Sequence, residues 1–181
     1  MTRSDKPRGP CVTRIPEGDN RPRLICDECG FVAYENPKVV VGSVTRWDGR
    51  ILLCRRAIEP RRGFWTLPAG YLELHEDTAT GACREAFEEA CARIEIDGLL
   101  AVYNIRRLSQ VQLIYRARLL DAGIAPGPES LEVRLFAPEE IPWDELAFPS
   151  VRWALEQDFE AARTGDRTTH GNPPGATGNL R

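Results

Sequence analysis

Two apolar runs separated by a short polar turn open the regular part of the chain. Val39 to Thr45 is apolar and rich in β-branched residues, and Ile51 to Arg56 is a second run of the same type. Asp48-Gly49 lies between them, and an Asp-Gly pair between two such runs favours a tight hairpin turn. The pattern therefore predicts a β-hairpin near the start of a folded domain that begins at Lys38.

The apolar period then changes from that of a strand to that of a helix. Asp77 or Thr78 is a suitable N-cap, and the pattern predicts a helix from there to Ala90 or Cys91. Its apolar face consists of Ala79, Ala82, Cys83, Ala86, Phe87 and Ala90. The acids Glu85, Glu88 and Glu89 are left along one edge of the predicted helix.

The rest of the pattern mixes strands with one more helix, which indicates an α/β fold. Four segments have the apolar content of strands: 94–96, 99–105, 111–119 and 131–136. Residues 123–128 read as a loop. Ser150 is predicted to cap a last helix with apolar residues at helical spacing up to Ala162.

Composition divides the chain into three parts. Residues 1–37 hold many Pro, Gly, Arg and Asp and little periodicity, so we expect an arm or a small irregular module there. Residues 38–163 form the predicted main domain. Residues 164–181 are rich in Gly, Pro, Thr and Asn, which predicts a disordered tail.

Length and charge limit the range of functions. The chain has 181 residues, enough for one well-buried domain, and a net charge of −3, which argues against a nucleic-acid partner. No apolar run approaches the roughly 20 residues that cross a bilayer, and the N-terminus lacks the apolar segment of a signal peptide. We therefore expect a cytoplasmic protein with no membrane partner and a small-molecule substrate.

The acidic edge of the first helix indicates metal chemistry. Glu85 and Glu89 lie one helical turn apart with Glu88 beside them, and like charges at this spacing repel by roughly 0.2–0.5 kcal/mol per pair. A cation bound between the carboxylate oxygens turns this repulsion into a net attraction. Hard divalent ions such as Mg2+ or Mn2+ prefer carboxylate oxygens of this kind.

The six cysteines fall into two groups. Cys54, Cys83 and Cys91 lie within apolar patterns, where a reduced thiol acts as a small hydrophobe. Cys26 and Cys29 form a Cys-x-x-Cys-Gly turn, which is half of a zinc ribbon, and Cys11 offers a third thiol. A structural zinc site needs four ligands, so the turn is either an incomplete zinc site or a knuckle held by its own geometry and packing.

The segment around the acidic helix resembles a known signature. Gly70, then Glu76 after five residues, then Arg84-Glu85-Ala86-Phe87-Glu88-Glu89 after seven more, resembles the signature of the Nudix hydrolase superfamily. The family's signature continues with a Gly where this chain has Cys91. Four further segments resemble the ADP-ribose and FAD pyrophosphatase branch, which has a zinc-ribbon-like N-terminal segment: 15–19, 36–42, 67–73 and 126–132.

This resemblance implies a fold and a reaction. The fold is an α/β/α sandwich around a mixed sheet, usually in a homodimer. The reaction is metal-dependent hydrolysis of the diphosphate linkage in a nucleoside diphosphate derivative such as ADP-ribose or FAD, with release of AMP. By similarity, the metal ligands are Glu85, Glu88, Glu89 and the backbone carbonyl of Ala69.

Other residues receive supporting roles from the same resemblance. Arg84 orients the neighbouring carboxylates, and Glu76 assists it. In this superfamily the general base often comes from a mobile loop outside the signature, for which Glu129 and Glu132 are the candidates here. Each is otherwise a solvated loop acid.

Substrate contacts are expected from three sides. Arg55 and Arg56 are either phosphate contacts or solvated charges at a strand end, and Glu73 lies on the approach to the acidic helix. Three aromatic residues, Tyr103, Trp143 and Phe148, are candidates for stacking on a base or for core packing. The alternative function is a Nudix-type sensor that binds ADP-ribose or a dinucleotide without turnover.

Overall fold

The computed structural model of the protein describes residues 9–178. The chain divides into two compact units, Met1–Asn36 and Pro37–Arg181, a boundary one residue before the predicted one. The predictions made for residues 1–8 and 179–181 lie outside the described residues. Among the residues described, no helix has the length and apolar content needed to cross a membrane.

The N-terminal unit is a small antiparallel sheet. Its strands are β1 (Val12–Arg14), β2 (Arg23–Ile25) and β3 (Val32–Ala33), in the order β1-β2-β3. The Cys-x-x-Cys-Gly sequence forms the turn between β2 and β3: the Cys26 N–H donates to the Phe31 carbonyl at 2.9 Å, and the Gly30 N–H donates to the Cys26 carbonyl at 2.8 Å.

Up to residue 178, the larger unit contains a mixed seven-stranded sheet and two α-helices. In chain order its elements are β4 (Lys38–Trp47), β5 (Arg50–Arg56), β6 (Trp65–Thr66), β7 (Ala69–Tyr71), α1 (Thr78–Ala90), β8 (Ile94–Ile105), β9 (Gln110–Leu119), β10 (Ser130–Phe136) and α2 (Pro149–Thr164). The sheet order is β10-β5-β4-β9-β8, with β6 paired to β5 and β7 to β4. β4 and β9 are parallel, and the other pairs are antiparallel.

Alternating residues of β5 show that the sheet separates two cores. Ile51 and Leu53 belong to a core with α2, whereas Leu52 and Cys54 belong to a core with α1. Successive side chains of a strand point to opposite faces, so α1 and α2 lie on opposite faces of the sheet. The predicted mixed α/β sandwich is confirmed.

Two elements differ from the sequence predictions. Segments 94–96 and 99–105 are one strand, β8, because β-bulges between Ile96 and Gly98 and between Leu99 and Ala101 interrupt the register without ending the pairing with β9. Helix α2 begins at Pro149, with Phe148 as its N-cap and no side-chain cap. The prediction that Ser150 caps α2 is wrong, because Pro149 fits the first helical position.

Residues 165–178 belong to the segment for which composition predicts a disordered tail. This segment runs beside β8: the His170 N–H donates to the Leu100 carbonyl at 2.9 Å, and the Val102 N–H donates to the His170 carbonyl at 3.0 Å. The Asn172 side chain also bonds to the backbone N–H and carbonyl of Asn104. Composition predicted disorder, but an unpaired sheet edge provides backbone partners for a polar segment. We call residues 165–178 the C-terminal strap.

Candidate functional site

Both ends of α1 are fixed by local hydrogen bonds. The Asp77 Oδ1 accepts from the backbone N–H groups of Ala79 (3.1 Å) and Thr80 (2.9 Å), which confirms Asp77 as the N-cap. The bonds from these groups lower the pKa of Asp77, with Thr80 contributing most. At the other end, Cys91 adopts a left-handed backbone conformation and terminates the helix.

Arg84 connects the acids around the helix. Its Nε and Nη2 bind both oxygens of Glu76, at 3.1 and 2.7 Å. Its Nη1 binds Glu85 at 2.7 Å and Glu88 at 3.0 Å, and Nη2 also donates to the Tyr71 carbonyl. The guanidinium of Arg84 lowers the pKa of Glu76, and these carboxylates raise the pKa of Arg84 itself. Such a fork holds several carboxylates in fixed orientations.

Two of the acids are buried against the strand that precedes them. Glu85 and Glu89 are 8% and 7% exposed. A Cβ at Gly70 would lie 2.4 Å from both carboxylate oxygens of Glu85, so only glycine leaves room for this carboxylate. The Ala69 N–H donates to the Glu89 Oε2 at 3.2 Å. The Gly70 of the signature therefore permits the close approach of an acid to the backbone.

Burial changes how these two acids bind protons. It raises the pKa of Glu89 to about 8, against the hydrogen bond from Ala69, and the charge of Glu85 adds to the rise. Burial also raises the pKa of Glu85, while Arg84 opposes the rise. The negative charge of Glu129 adds to the rise in the pKa of both Glu85 and Glu89. Two desolvated carboxylates close together are unfavourable unless protons or a cation neutralise them.

The donor set fits a hard divalent cation, although the carboxylates do not yet converge on one. Among residues 9–178, no three His, Cys, Asp or Glu side chains are arranged to hold a metal ion. Nη1 of Arg84 bridges Glu85 and Glu88 instead, and Glu88 is exposed. The buried pair Glu85 and Glu89 supplies the charge and oxygen donors that Mg2+ or Mn2+ requires.

The two candidates for the general base lie in different places. Glu132 is opposite Arg55 in the β10–β5 pairing, and their side chains approach to 3.7 Å. Val133, its neighbour, is opposite Cys54 and packs in the core with α1, so Glu132 is on the face away from α1. This placement separates Glu132 from the acids of α1, and its role as the base stays a prediction. Glu129 is exposed, and its charge acts on Glu85 and Glu89.

Arg55 and Arg56 also have different surroundings. The Arg55 Nε donates to the Gly63 carbonyl at 2.9 Å, and its guanidinium lies near Glu132 rather than beside the acids of α1. Its contact with a substrate phosphate stays a prediction. Arg56 forms no salt bridge with a described residue, and its charge lowers the pKa of Glu89 against the effect of burial. The Arg56 Nε donates to the Pro60 carbonyl at 2.9 Å.

Glu73 has a local structural contact. Its backbone N–H donates to the Glu76 Oε1 at 2.7 Å, and its own side chain is exposed. Glu73 thus lies at the entrance to the Arg84 network, and its proposed contact with substrate stays a prediction.

The three aromatic candidates separate by burial. Tyr103 is fully buried and donates to the Gln157 Oε1 at 2.6 Å, which contradicts a stacking role. Trp143 and Phe148 are partly buried and line a cavity of about 760 Å³ beside the start of α2. The guanidinium of Arg56 lies 5.2 Å from the centroid of the Phe148 ring. Arg56 therefore lies near one wall of this cavity as well as near Glu89.

The N-terminal thiols do not form a zinc site among the described residues. Cys26 is buried, whereas Cys11 and Cys29 are exposed. Hydrogen bonds from the backbone N–H groups of Cys29 and Glu28 lower the pKa of Cys26. Within residues 9–178 these three thiols are not arranged around a common centre. The turn is held by its backbone hydrogen bonds, and zinc binding by these thiols stays a prediction.

The loop before β10, predicted to carry the general base, is bonded to the end of α1, a contact that the sequence pattern did not reveal. The Ala125 and Gly127 N–H groups donate to the carbonyls of Ala90 (2.9 Å) and Glu89 (3.0 Å), the last two residues of α1. The Pro-Gly-Pro sequence before Glu129 predicts a loop but not its contact with a helix 35 or more residues earlier in the chain.

Comparisons with known families match nearly all of the described chain. Residues 36–155 match the family described as NUDIX domain. Residues 9–35 match the family described as Nudix N-terminal, a zinc-ribbon family.

Individual relatives agree with these matches. A NUDIX hydrolase from Nitrosomonas europaea is 48% identical, with a TM-score of 0.84 over 89% of this chain and 93% of that chain. A MutT-like protein from Streptomyces ambofaciens is 39% identical over 102 residues, which are 56% of this chain and 64% of that protein. An ADP-ribose pyrophosphatase from Methanocaldococcus jannaschii is 27% identical over 64% of this chain and 69% of that protein.

Proposed function

Because the chain belongs to the Nudix hydrolase family, we propose that it hydrolyses the diphosphate linkage of a nucleoside diphosphate derivative such as ADP-ribose or FAD and releases AMP. The observation that carries this proposal is the buried pair Glu85 and Glu89, packed against Gly70 and Ala69. A buried acidic pair with the exposed Glu88 beside it is suited to a phosphate-bound divalent cation.

Each residue of the site has a distinct task in this reaction. Glu85 and Glu89 would hold Mg2+ or Mn2+, with Glu88 beside them and the Ala69 carbonyl as a further donor. An ion held there would polarise phosphoryl oxygens and lower the pKa of its bound water. Arg84 keeps the Glu85 carboxylate in position through the 2.7 Å bond. These assignments rest on the contacts of α1 with β7.

Proton transfer and charge stabilisation come from outside α1. The exposed Glu129 carboxylate accepts a proton from the attacking water. It is assigned this role because its charge acts on both buried acids, Glu85 and Glu89. Arg56, which forms no salt bridge among the described residues, donates hydrogen bonds to a phosphoryl oxygen and stabilises the negative charge that develops there.

The second half of the substrate has a suitable place beside Arg56. The cavity of about 760 Å³ that Trp143 and Phe148 line falls within the size range of small-molecule sites. Aromatic walls favour a planar base. The identity of the M. jannaschii relative, an ADP-ribose pyrophosphatase, supports the same substrate class.

A substrate panel tests the proposal. Protein freed of metal with EDTA is incubated with ADP-ribose, FAD or NADH, with Mg2+ or Mn2+, and AMP is measured. We expect AMP from at least one substrate, only with metal, and a loss of about 100-fold or more in kcat for Glu89→Gln. The control is Glu156→Gln, an exposed acid of α2. Full activity of Glu89→Gln would contradict the metal assignment.

The same panel separates the enzyme from a sensor. If calorimetry shows that ADP-ribose binds while no AMP appears with either metal, the chain is a sensor and the catalytic proposal is wrong. The predicted homodimer and cytoplasmic location stay predictions. Light scattering on the purified chain measures its oligomeric state and so tests the predicted homodimer.

A further inference from the structure

The loop that carries Glu129 also caps the C-terminal end of α1. The last carbonyls of a helix lack partners within the helix. In this protein the Glu89 carbonyl accepts from Gly127 and the Ala90 carbonyl accepts from Ala125. The helix that holds the buried acids and the loop that leads to Glu129 are therefore connected by these two hydrogen bonds, which we call the joint.

Gly127 makes the joint possible because it has no side chain. A Cβ at this position would lie 1.7 Å from the Glu88 carbonyl oxygen and 2.8 Å from its carbonyl carbon. Both atoms belong to helical backbone, which cannot move aside without distorting α1 beside its acids. Any other residue must lift the loop away from the helix.

The chain between this joint and Glu129 is short and stiff. Pro128 is the one residue between them, and its ring fixes φ. The Ser130 N–H donates back to the Gly127 carbonyl at 3.0 Å, and the Glu129 carbonyl accepts from the Ala57 N–H at 2.8 Å. The Glu129 backbone is thus held on both sides, by the joint with α1 and by the end of β5.

We propose that Gly127 is a positioning residue: by docking against the Glu88–Glu89 backbone it fixes the Glu129 carboxylate relative to Glu85 and Glu89. This inference rests on the proposed function, because it assigns Glu129 a task in that reaction. It adds a residue that touches neither metal nor substrate and acts through the loop backbone.

A matched pair of glycine variants in one loop tests the docking. Gly127→Ala should lower kcat by about 10- to 100-fold with KM changed by less than about 3-fold, since a small displacement of a catalytic group costs rate rather than binding. Gly123→Ala should keep kcat within about 2-fold, because its Cβ would meet only the exposed end of the Asp121 side chain, at 2.8 Å. Equal losses in the two variants would contradict the proposal.

A double-mutant cycle tests whether Gly127 acts through Glu129. Glu129→Gln should lower kcat by about 100-fold or more. Adding Gly127→Ala to Glu129→Gln should then change kcat by less than about 3-fold, because residues that act as one unit are not additive. If the double variant loses the full Gly127→Ala factor again, Gly127 does not act through Glu129 and the proposal is overturned.

Pro128→Gly keeps the inference testable if Gly127→Ala does not fold. Pro128 is exposed, and glycine adds no atom, so the thermal unfolding temperature should change by only a few degrees. The flexible link should lower kcat by about 3- to 10-fold, and unchanged kcat would overturn the proposal.

If Glu129→Gln is fully active while Glu89→Gln is inactive, this inference fails and the proposed function stands. If the unmodified protein releases no AMP, the proposed function itself fails.

Discussion

Cys91 stands where the helix that holds the acids must end. Its φ of 50° and ψ of 20° place it in the left-handed region, and the Ala92 N–H donates to the Ala86 carbonyl to close the turn. Glycine adopts this conformation at little steric cost, whereas a residue with a Cβ pays about 1–2 kcal/mol. The replacement of the signature's Gly by Cys therefore leaves the geometry intact and stores strain at the helix end.

Replacing Cys91 with Gly should stabilise the protein. We expect Cys91→Gly to raise the free energy of unfolding by about 0.5–1 kcal/mol, after the larger backbone entropy of glycine in the unfolded chain is subtracted. Urea denaturation measures the change. Cys91→Ala is the matched control: it removes the thiol and keeps the Cβ, so it should give no stabilisation.

The buried acid Glu89 should make the metal-free protein less stable at higher pH. Its pKa of about 8 lies above the ordinary value of 4.5. Between these values the folded chain retains a proton that the unfolded chain has lost, so the free energy of unfolding falls as pH rises from about 4.5 to 8.

Thermal unfolding in EDTA between pH 5 and 8 measures this dependence. Glu89→Gln should remove the part of the slope that Glu89 causes, while Glu88→Gln, at an exposed position, should retain it. Mg2+ should stabilise the unmodified protein more at pH 8 than at pH 5, because the ion competes with protons for the same oxygens. A Glu89→Gln slope equal to that of the unmodified protein would contradict the burial argument.

At the scale of elements, one ion pair ties the sheet to α2. Asp158 of α2 is 4% exposed, and the Arg46 Nε of β4 donates to its Oδ2 at 2.8 Å. Burial raises the pKa of Asp158, and Arg46 opposes the rise. Helix α2 thus packs through an apolar core and through one desolvated charge pair.

Removing one partner of this ion pair should lower the free energy of unfolding more than replacing both partners with apolar residues. Asp158→Ala leaves the partly buried Arg46 without its partner, and we expect a loss of about 2–3 kcal/mol in the free energy of unfolding. The double variant Arg46→Met, Asp158→Leu should lose less than Asp158→Ala alone. Denaturant titration of the three proteins checks the order, and a larger loss in the double variant would contradict it.

At the scale of the whole molecule, the C-terminal strap completes the sheet at its β8 edge. Arg116 of β9 is 8% exposed and connects the strap to the sheet: Nη1 donates to the Leu99 carbonyl at 3.0 Å and the Arg167 carbonyl at 3.4 Å, and Nη2 donates to the Thr168 carbonyl at 3.3 Å. Covering an edge strand in this way protects it from pairing with other chains.

Arg116→Met should loosen the strap. We expect a loss of about 1–3 kcal/mol in the free energy of unfolding, since the carbonyls lose a charged donor. The backbone amides of Val102 and His170 should exchange faster with deuterium. Arg118→Met is the matched control two residues along the same strand: its guanidinium pairs with Glu95 at the surface, so the change should stay within about 0.5 kcal/mol. Equal exchange rates in both variants would contradict the role of Arg116.

The sequence by itself determined the hairpin, α1 with a cap at Asp77 or Thr78, and the three acids on one edge of that helix. These features depend on local spacing, turn chemistry and capping, which act over a few residues. The signature also located Gly70, although not the reason for it, which is the Glu85 carboxylate packed on its Cα.

Only the tertiary structure decided which residues share the site. Glu129 and Glu132 are equivalent in sequence, but strand alternation and the pairing with Arg55 place Glu132 on the far face of the sheet. The strap is polar in composition, yet its backbone is hydrogen-bonded to β8. Contacts of this kind join residues that are distant along the chain, so the local sequence pattern does not predict them. Burial sets the pKa of Glu89, and burial is a property of the folded molecule alone.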